Sequence, residues 1–270
     1  AEDGIRHSST SRGLGDVYKR QKQTGLKKGI PIKYRAGDQP NNAMALNILN
    51  TGEVAATGGT SGVLYALTES LESNESLRLN NFAHVNYSNK NKLIGKLLCI
   101  NGAGIQYKWI KNITNAKNYS QMNLLASKVK IGSDGLLLYP FGNGSERMFN
   151  NNEIGSCFKN LNLNLHSNSH LYRATLEGIA FSFMYGMEIL IQDNFNPSLV
   201  RAGNDNLFLS DLFSQTISTL IDKEIEIYKD HSLQKKAIFK DINLQGDAII
   251  DTNMGTEILR SGQINIKGIY

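Results

Sequence analysis

Residues 30–62 read IPIKYRAGDQPNNAMALNILNTGEVAATGGTSG, a stretch whose hydrophobic period changes from strand to helix and back to strand. Ile30, Ile32, Tyr34 and Ala36 alternate with Lys33 and Arg35, which predicts a strand. Gly37-Asp38-Gln39-Pro40 follows, and Pro40 suits the first position of a helix, where its missing N–H costs nothing. Ala43, Met44, Leu46, Asn47 and Leu49 continue as a short helix that Asn50-Thr51-Gly52 should stop. Val54–Thr57 and Val63–Leu67 then read as two strands joined by Gly58-Gly59-Thr60-Ser61-Gly62. A carboxylate at a strand-to-helix corner is therefore followed, one short helix later, by a glycine-rich hairpin turn. The first could act as a base and the second could hold phosphate. Each also has a plain reading. An Asp before a helical Pro is what an N-cap looks like, and glycine fills any tight turn because it takes positive φ cheaply.

The chain has 270 residues, enough for one large domain or two modest ones. Its hydrophobic share of 40% and charged share of 20% are ordinary for a globular protein. The net charge of +5 is not clustered, since Lys27-Lys28 and Lys235-Lys236 are isolated pairs, so no nucleic-acid partner is indicated. The two cysteines, Cys99 and Cys157, are too few and too far apart for a disulfide framework, which makes a cytoplasmic location the expectation. No run approaches the roughly 18 apolar residues that span a membrane, so no membrane partner is expected. There is no GxxxxGK[ST] loop and no local Ser-His-Asp signature. His166 and His170 are spaced i,i+4 without a third ligand nearby, so no metal site is expected, and His170 reads as a surface or capping residue.

Residues 1–21 lack periodicity and read as a disordered leader or a non-native extension. Residues 68–80 read as a surface loop, Phe82–Asn86 and Leu93–Ile100 as strands, and Asn101–Gly104 as a turn. Ile105, Trp109 and Ile113 share one face of a following helix, with Trp109 expected in the core. A second short helix is expected over Tyr119–Val129, opened by Ser120, then a buried strand over Gly135–Phe141 and an irregular, Asn-rich segment over residues 150–168. Ser169–Gln192 carries a broad apolar face at helical spacing. Gly178 and Gly186 lie within it. Each costs up to about 1 kcal/mol against Ala, which points to close backbone packing. Leu199–Ala202 is a strand, Gly203–Asn206 a turn, Leu207–Leu220 a helix and Glu224–Tyr228 a strand. Beyond Lys229 the pattern weakens, with strands suggested at residues 248–250 and 264–270. The class is α/β, a mixed sheet with flanking helices. Glycine turns recur at Gly37, Gly58-Gly59, Gly102–Gly104 and Gly203, each after a strand, which favours nucleotide binding because such turns bring backbone N–H groups close to phosphate.

The segments RAGDQPNNA, GEVAATGGTSGVLYAL, FAHVNY, LLCINGAGIQ, GLLLYPFGNGSERM, RATLEGIAFSFMYGMEIL and RAGNDNLFLSDLF occur in this order. Together they resemble the C-terminal half of an FGGY-family carbohydrate kinase, most of all the bacterial xylulokinases, over residues 23–228. The resemblance implies a lobe of the actin/hexokinase/Hsp70-like ATPase fold, which is ribonuclease H-like. It implies ATP-dependent phosphorylation of a sugar hydroxyl, a ketopentose such as D-xylulose going to D-xylulose 5-phosphate, with ATP and Mg²⁺. By the same resemblance Asp38 falls on the catalytic base and Gln39 on a sugar contact. Gly59, Thr60, Ser61 and Gly62 fall on the loop holding the β- and γ-phosphates, Gly102 and Gln106 on a nucleotide-contacting turn, and Gly203 and Asn206 on the adenine-side loop. Two residues separate Gln106 from Trp109, where relatives often have the Trp directly after. No Asp-x-Gly-Thr segment precedes residue 30, and residues 229–270 lack the closing Gly/Ala-rich helix. The expected domain is thus a C-terminal kinase lobe over residues 22–228 with a divergent tail over 229–270. Its expected partners are a sugar, a missing N-terminal lobe and a second copy in a homodimer. The alternative is a non-catalytic actin-like nucleotide-binding module or an inactive kinase fragment.

Overall fold

Strand period decides what the central sheet can touch. In the computed structural model β1 (Glu53–Gly58) and β2 (Gly62–Thr68) form an antiparallel hairpin with Gly58 opposite Gly62. Alternate side chains point to opposite faces. Val54, Ala56, Leu64 and Ala66 enter one buried cluster, while Ala55, Val63, Tyr65 and Leu67 enter another. Both faces are therefore covered, and the strands read as nearly continuous apolar runs. β3 (Asn80–Ala83) and β4 (Ile94–Ile100) extend the sheet beyond β2, and β7 (Leu199–Ala202) lies parallel to β1, giving the order β3-β4-β2-β1-β7.

The residues described are 22–27, 29, 30, 36–221, 224–229, 232–242, 248–252 and 255–259. The chain divides into a unit over residues 1–36 and a unit over residues 37–270. A helical turn at residues 22–24 belongs to the first unit. The leader over 1–21, most of the strand expected from Ile30 to Ala36, and the strand suggested at 264–270 lie outside the described residues.

Within the second unit, α1 (Asp38–Ala45) begins just ahead of Pro40, the expected first position, and ends before Leu46, Asn47 and Leu49, residues expected within it. Asp38-Gln39-Pro40 are inside it because Gly37, in extended conformation, is the N-cap. Its Ala43, with Leu46 and Ile48 beyond it, covers the face of the sheet that carries Ala55 and Tyr65. α2 (Gly104–Ile113), α3 (Tyr119–Ala126), α4 (Asn168–Gln192) and α5 (Asp211–Ile221) follow. α4 packs its Leu176, Ile179, Phe183 and Met187 into the cluster with Leu64, Leu98 and Ile100 on the opposite face. The expectation for Gly178 is borne out. A Cβ there would stand 2.3 Å from the Leu138 carbonyl oxygen, and at Gly186 2.8 Å from Leu98 Cδ2. α4 has the length and composition to cross a membrane, yet most of it is buried in the fold, so it reads as a core helix.

Trp109 is a correction. It is 51% exposed, and Ile113 is 50% exposed. The buried face of α2 carries Tyr107 and Ile110 instead, because these two follow on from buried Ala103 at i+4 and i+7. The Asn-rich segment also holds a strand, β6 (Gly155–Lys159), antiparallel to β5 (Leu137–Phe141). Beyond α5 a separate antiparallel sheet has the order β11-β10-β9-β8, from β8 (Glu224–Lys229), β9 (Ser232–Ile242), β10 (Ala248–Thr252) and β11 (Gly255–Leu259). β9 and β11 carried no recognised pattern in the sequence.

Buried charge ties these layers. Lys96 on β4 pairs with Asp193 at the C-cap of α4, and both side chains are almost fully buried. Asp193 also accepts from Ser73 Oγ and the Glu75 N–H, each at 2.9 Å, and Lys96 Nζ donates to the Glu72 carbonyl at 2.9 Å. The polar loop after β2 is thus pinned to the core. Burial pushes the Asp193 carboxyl up, but Lys96 and these hydrogen bonds outweigh it and hold it below its ordinary value. Glu53 behaves alike: burial raises it, and Asn50, the Leu49 N–H and Arg201 together bring it lower. His84 is fully buried, its Nδ1 is 3.2 Å from the Tyr65 hydroxyl, and burial pushes its imidazole down.

These shifts give acid sensitivity in two windows. A group whose folded pKa is depressed lets the unfolded chain bind the proton first, so stability is full above the unfolded value and falls below it. Urea melts should lose stability as pH drops below 6.5, through His84, and again below 4.5 to 3.8, through Glu53 and Asp193. His84→Gln should remove the first window and leave the second; an unchanged upper window would show that His84 is not its source.

Candidate active site

The site is built where the β1–β2 turn meets the start of α2. The first N–H groups of a helix have no partner inside it. Here the Gly104 N–H donates to the Gly59 carbonyl at 2.9 Å and the Ile105 N–H to the Thr60 carbonyl at 3.2 Å. α2 therefore spends these donors on holding the glycine turn. The approach requires a residue without a side chain, since a Cβ on Gly104 would stand 2.5 Å from the Gly59 oxygen.

A cavity of 610 Å³ opens at this junction, within the usual range for small-ligand sites. Gly58, Gly59 and Thr60 contribute from the turn, Ile105, Tyr107 and Lys108 from α2, Asn118, Tyr119 and Asn123 from α3 and its cap, and Asn206, Leu207 and Ser210 from the loop after β7. Gly104, Tyr107 and Lys108 share a lining because i, i+3 and i+4 share a helix face. Lys108 supplies positive charge. The Tyr107 hydroxyl donates to Asn123 Oδ1 at 2.8 Å, and its ring lies 5.8 Å from that of Tyr119 at an interplanar angle of 23°. Burial, with Tyr172 and Tyr119 nearby, pushes the Tyr107 hydroxyl up, so it stays a protonated donor. Asn118, not Ser120, caps α3: its Oδ1 accepts from the Gln121 N–H at 2.8 Å.

The residues singled out from the sequence fall in three places. Gly59, Thr60 and Asn206 line the cavity, while Ser61 and Gly62 complete the turn and Gly203 precedes Asn206 outside the lining. Gly102 has φ 92° and sits under Pro140, whose carbonyl oxygen would be 1.7 Å from a Cβ, so its glycine is demanded by the fold. Gln106 is buried beside Gly142, while its neighbours Ile105 and Tyr107 reach the cavity. Asp38 stands apart from the lining. It is the first residue of α1 and is exposed, with its Oδ1 accepting the Gln39 N–H at 2.9 Å and its Oδ2 the Gln39 amide at 3.4 Å. One turn along, Asn42 Nδ2 donates to Thr57 Oγ1 at 2.9 Å, which links α1 to the strand leading into the glycine turn. His170 is a capping residue as read, forming a capping box with Ser167 and lying 3.1 Å from Asp134 Oδ2.

The profile of the FGGY family of carbohydrate kinases, C-terminal domain, matches residues 54–231. The chain belongs to the FGGY family. Gluconokinase of Bacillus subtilis is 25% identical over 217 residues, covering 76% of this chain and 41% of that protein. Xylulose kinase of Haemophilus influenzae is 25% identical over 201 residues, covering 74% and 39% respectively. The chain thus spans about two fifths of the length of the curated relatives it matches. Among solved structures, xylulose kinase from Rhodospirillum rubrum superposes with a TM-score of 0.67 at 23% identity, over 78% of this chain and 42% of that one. The fold of this FGGY domain is therefore the actin/hexokinase-like ATPase fold.

Overpacking a tight contact costs about 1–3 kcal/mol, so Gly104→Ala should displace the turn and lower the thermal melting midpoint by several degrees. An unchanged midpoint would show that the close approach of Gly104 to Gly59 does not hold the turn.

Proposed function

We propose that this chain is the nucleotide-holding lobe of an ATP-dependent sugar kinase. The observation that carries the proposal is the cavity at the Gly58–Thr60 turn, closed by α2 and the Asn206 loop, with an exposed Asp38 carboxylate on a helix bonded to the same hairpin. The cavity suits a nucleotide: glycine backbone and Lys108 for phosphates, and Tyr119, Leu207 and Leu209 for an apolar, aromatic base. When bound, ATP supplies the phosphoryl group. Gly59, Thr60, Ser61 and Gly62 hold its β- and γ-phosphates, Gly102 and Gln106 shape the turn behind them, and Asn206 faces the adenine from a loop that Gly203 opens. Phosphoryl transfer depends mostly on such positioning and on charge stabilisation.

Asp38 takes the proton of the sugar hydroxyl as that oxygen bonds to the γ-phosphorus and the bond to the ADP oxygen breaks. Gln39 positions the sugar, and its N–H and amide already orient the Asp38 carboxylate. Mg²⁺ enters with the nucleotide. Among the described residues no group of three or more His, Cys, Asp or Glu is placed to hold a metal ion, so no step is assigned to it. A ketopentose such as D-xylulose is the proposed substrate, supported by the xylulose kinases among the relatives, while gluconokinase is as similar a relative. The same proposal includes a kinase body over residues 22–228, an N-terminal lobe completing the cleft, a homodimer and a cytoplasmic location.

A positioned general base contributes about 10²–10⁴-fold. In the protein carrying both lobes, Asp38→Asn should lower kcat at least about a hundredfold while ADP affinity is unchanged; near-normal turnover would remove Asp38 from this role. The 270 residues alone should release no ADP above background with ATP and D-xylulose, gluconate or glycerol. Robust sugar-dependent release would show that one lobe suffices.

A further inference from the structure

α1 carries Asp38 and is seated on the sheet by Ala43, an apolar contact without direction. Such a contact keeps a helix on a surface without by itself setting its rotation, and the Glu53 bonds to the Leu49 and Asn50 N–H groups hold only the chain beyond its end. A hydrogen bond from the helix itself is directional and removes the freedom to rotate. Asn42 lies four residues after Asp38, so the two share one face of the helix, about 6 Å apart along its axis. Its amide donates to the Thr57 hydroxyl at 2.9 Å. Thr57 is on β1 immediately before Gly58, and strand period puts it on the face with Ala55, the face that α1 covers. The path from the carboxylate to the turn is therefore one turn of helix, one hydrogen bond and the short run from Thr57 to Thr60.

We propose that Asn42 is a positioning residue for phosphoryl transfer: its bond to Thr57 fixes where the Asp38 carboxylate stands relative to the phosphate-holding turn. Transfer requires the base, the sugar oxygen and the γ-phosphorus to be in register, and misplacement by about 1 Å can cost about a hundredfold. The bond sets this register from within one lobe, before any closure. This inference rests on the assignment of Asp38 as base.

The test uses the two-lobed protein and whichever of D-xylulose, gluconate and glycerol it turns over fastest. Asn42→Leu and Thr57→Val remove the bond with little change of shape, Thr57→Ser keeps the hydroxyl, and Asp38→Asn is measured beside them. Each single loss of the bond should lower kcat between about ten- and a hundredfold, with KM for ATP changed by less than about twofold. Thr57→Ser should restore turnover, and the double variant should be no slower than either single one. Thermal melts keep a folding defect apart from a kinetic one, and Thr57→Val remains decisive should Asn42→Leu not fold. Wild-type kcat in both single variants, or losses that multiply in the double variant, overturn the positioning role while a dead Asp38→Asn leaves the base assignment standing. A fully active Asp38→Asn overturns both.

Discussion

The long helix α4 must bury its apolar stripe, and the five-stranded sheet is the surface that receives it. That requirement organises the domain. Fifteen of the helix residues are buried, and Gly186 lets the helix approach Leu98 and Leu64 of that sheet, while Gly178 meets the Leu138 backbone of the separate β5–β6 pair. Once Leu64, Ala66, Leu98 and Ile100 face α4, the two-residue period sends Tyr65, Leu67 and Leu97 to the other face, and these need α1 to cover them. The helix carrying the candidate base is thus held in place by the same sheet that the core helix organises.

The polar contacts add direction to this packing. Lys96 and Asp193 join the sheet to the end of α4 and recruit the loop through Glu72, Ser73 and Glu75. Glu53 takes the N–H groups of Leu49 and Asn50, at 2.7 and 3.0 Å, and faces Arg201 on β7 at 3.3 Å. That arrangement fixes the exit from α1 against the two neighbouring strands. At the site, the start of α2 grips the glycine turn through two backbone hydrogen bonds, and Asn42 grips its leading strand. The turn is thus held from both faces of the sheet.

Much of the fold is legible along the chain. The hairpin and β4 are apolar runs, α4 carries a helical period and β7 is a short strand before a glycine turn, and their ends coincide closely with those read from the residues. Elements were lost where local pattern is weak. β6 lies in an Asn-rich run whose strand state depends on pairing with β5, the strand before it. Helical period alone does not place Trp109, because Ile105, Trp109 and Ile113 and the alternative set Ala103, Tyr107 and Ile110 both satisfy it. Only contact with the core selects between them.

The sequence by itself determined the class of the domain, its family and the two motifs at its centre, because these rest on hydrophobic period, turn chemistry and ordered motifs. It did not determine where the motifs stand relative to their neighbours. An Asp before a helical Pro reads as an N-cap, a position the structure gives to Gly37 instead, and Tyr107, Lys108, Asn118 and Tyr119 carry no signal of sharing a cavity with Gly59. Tertiary structure decided these points. Close approaches such as Gly104 to Gly59 and Asn42 to Thr57 depend on where separate elements cross the sheet, which no local spacing encodes.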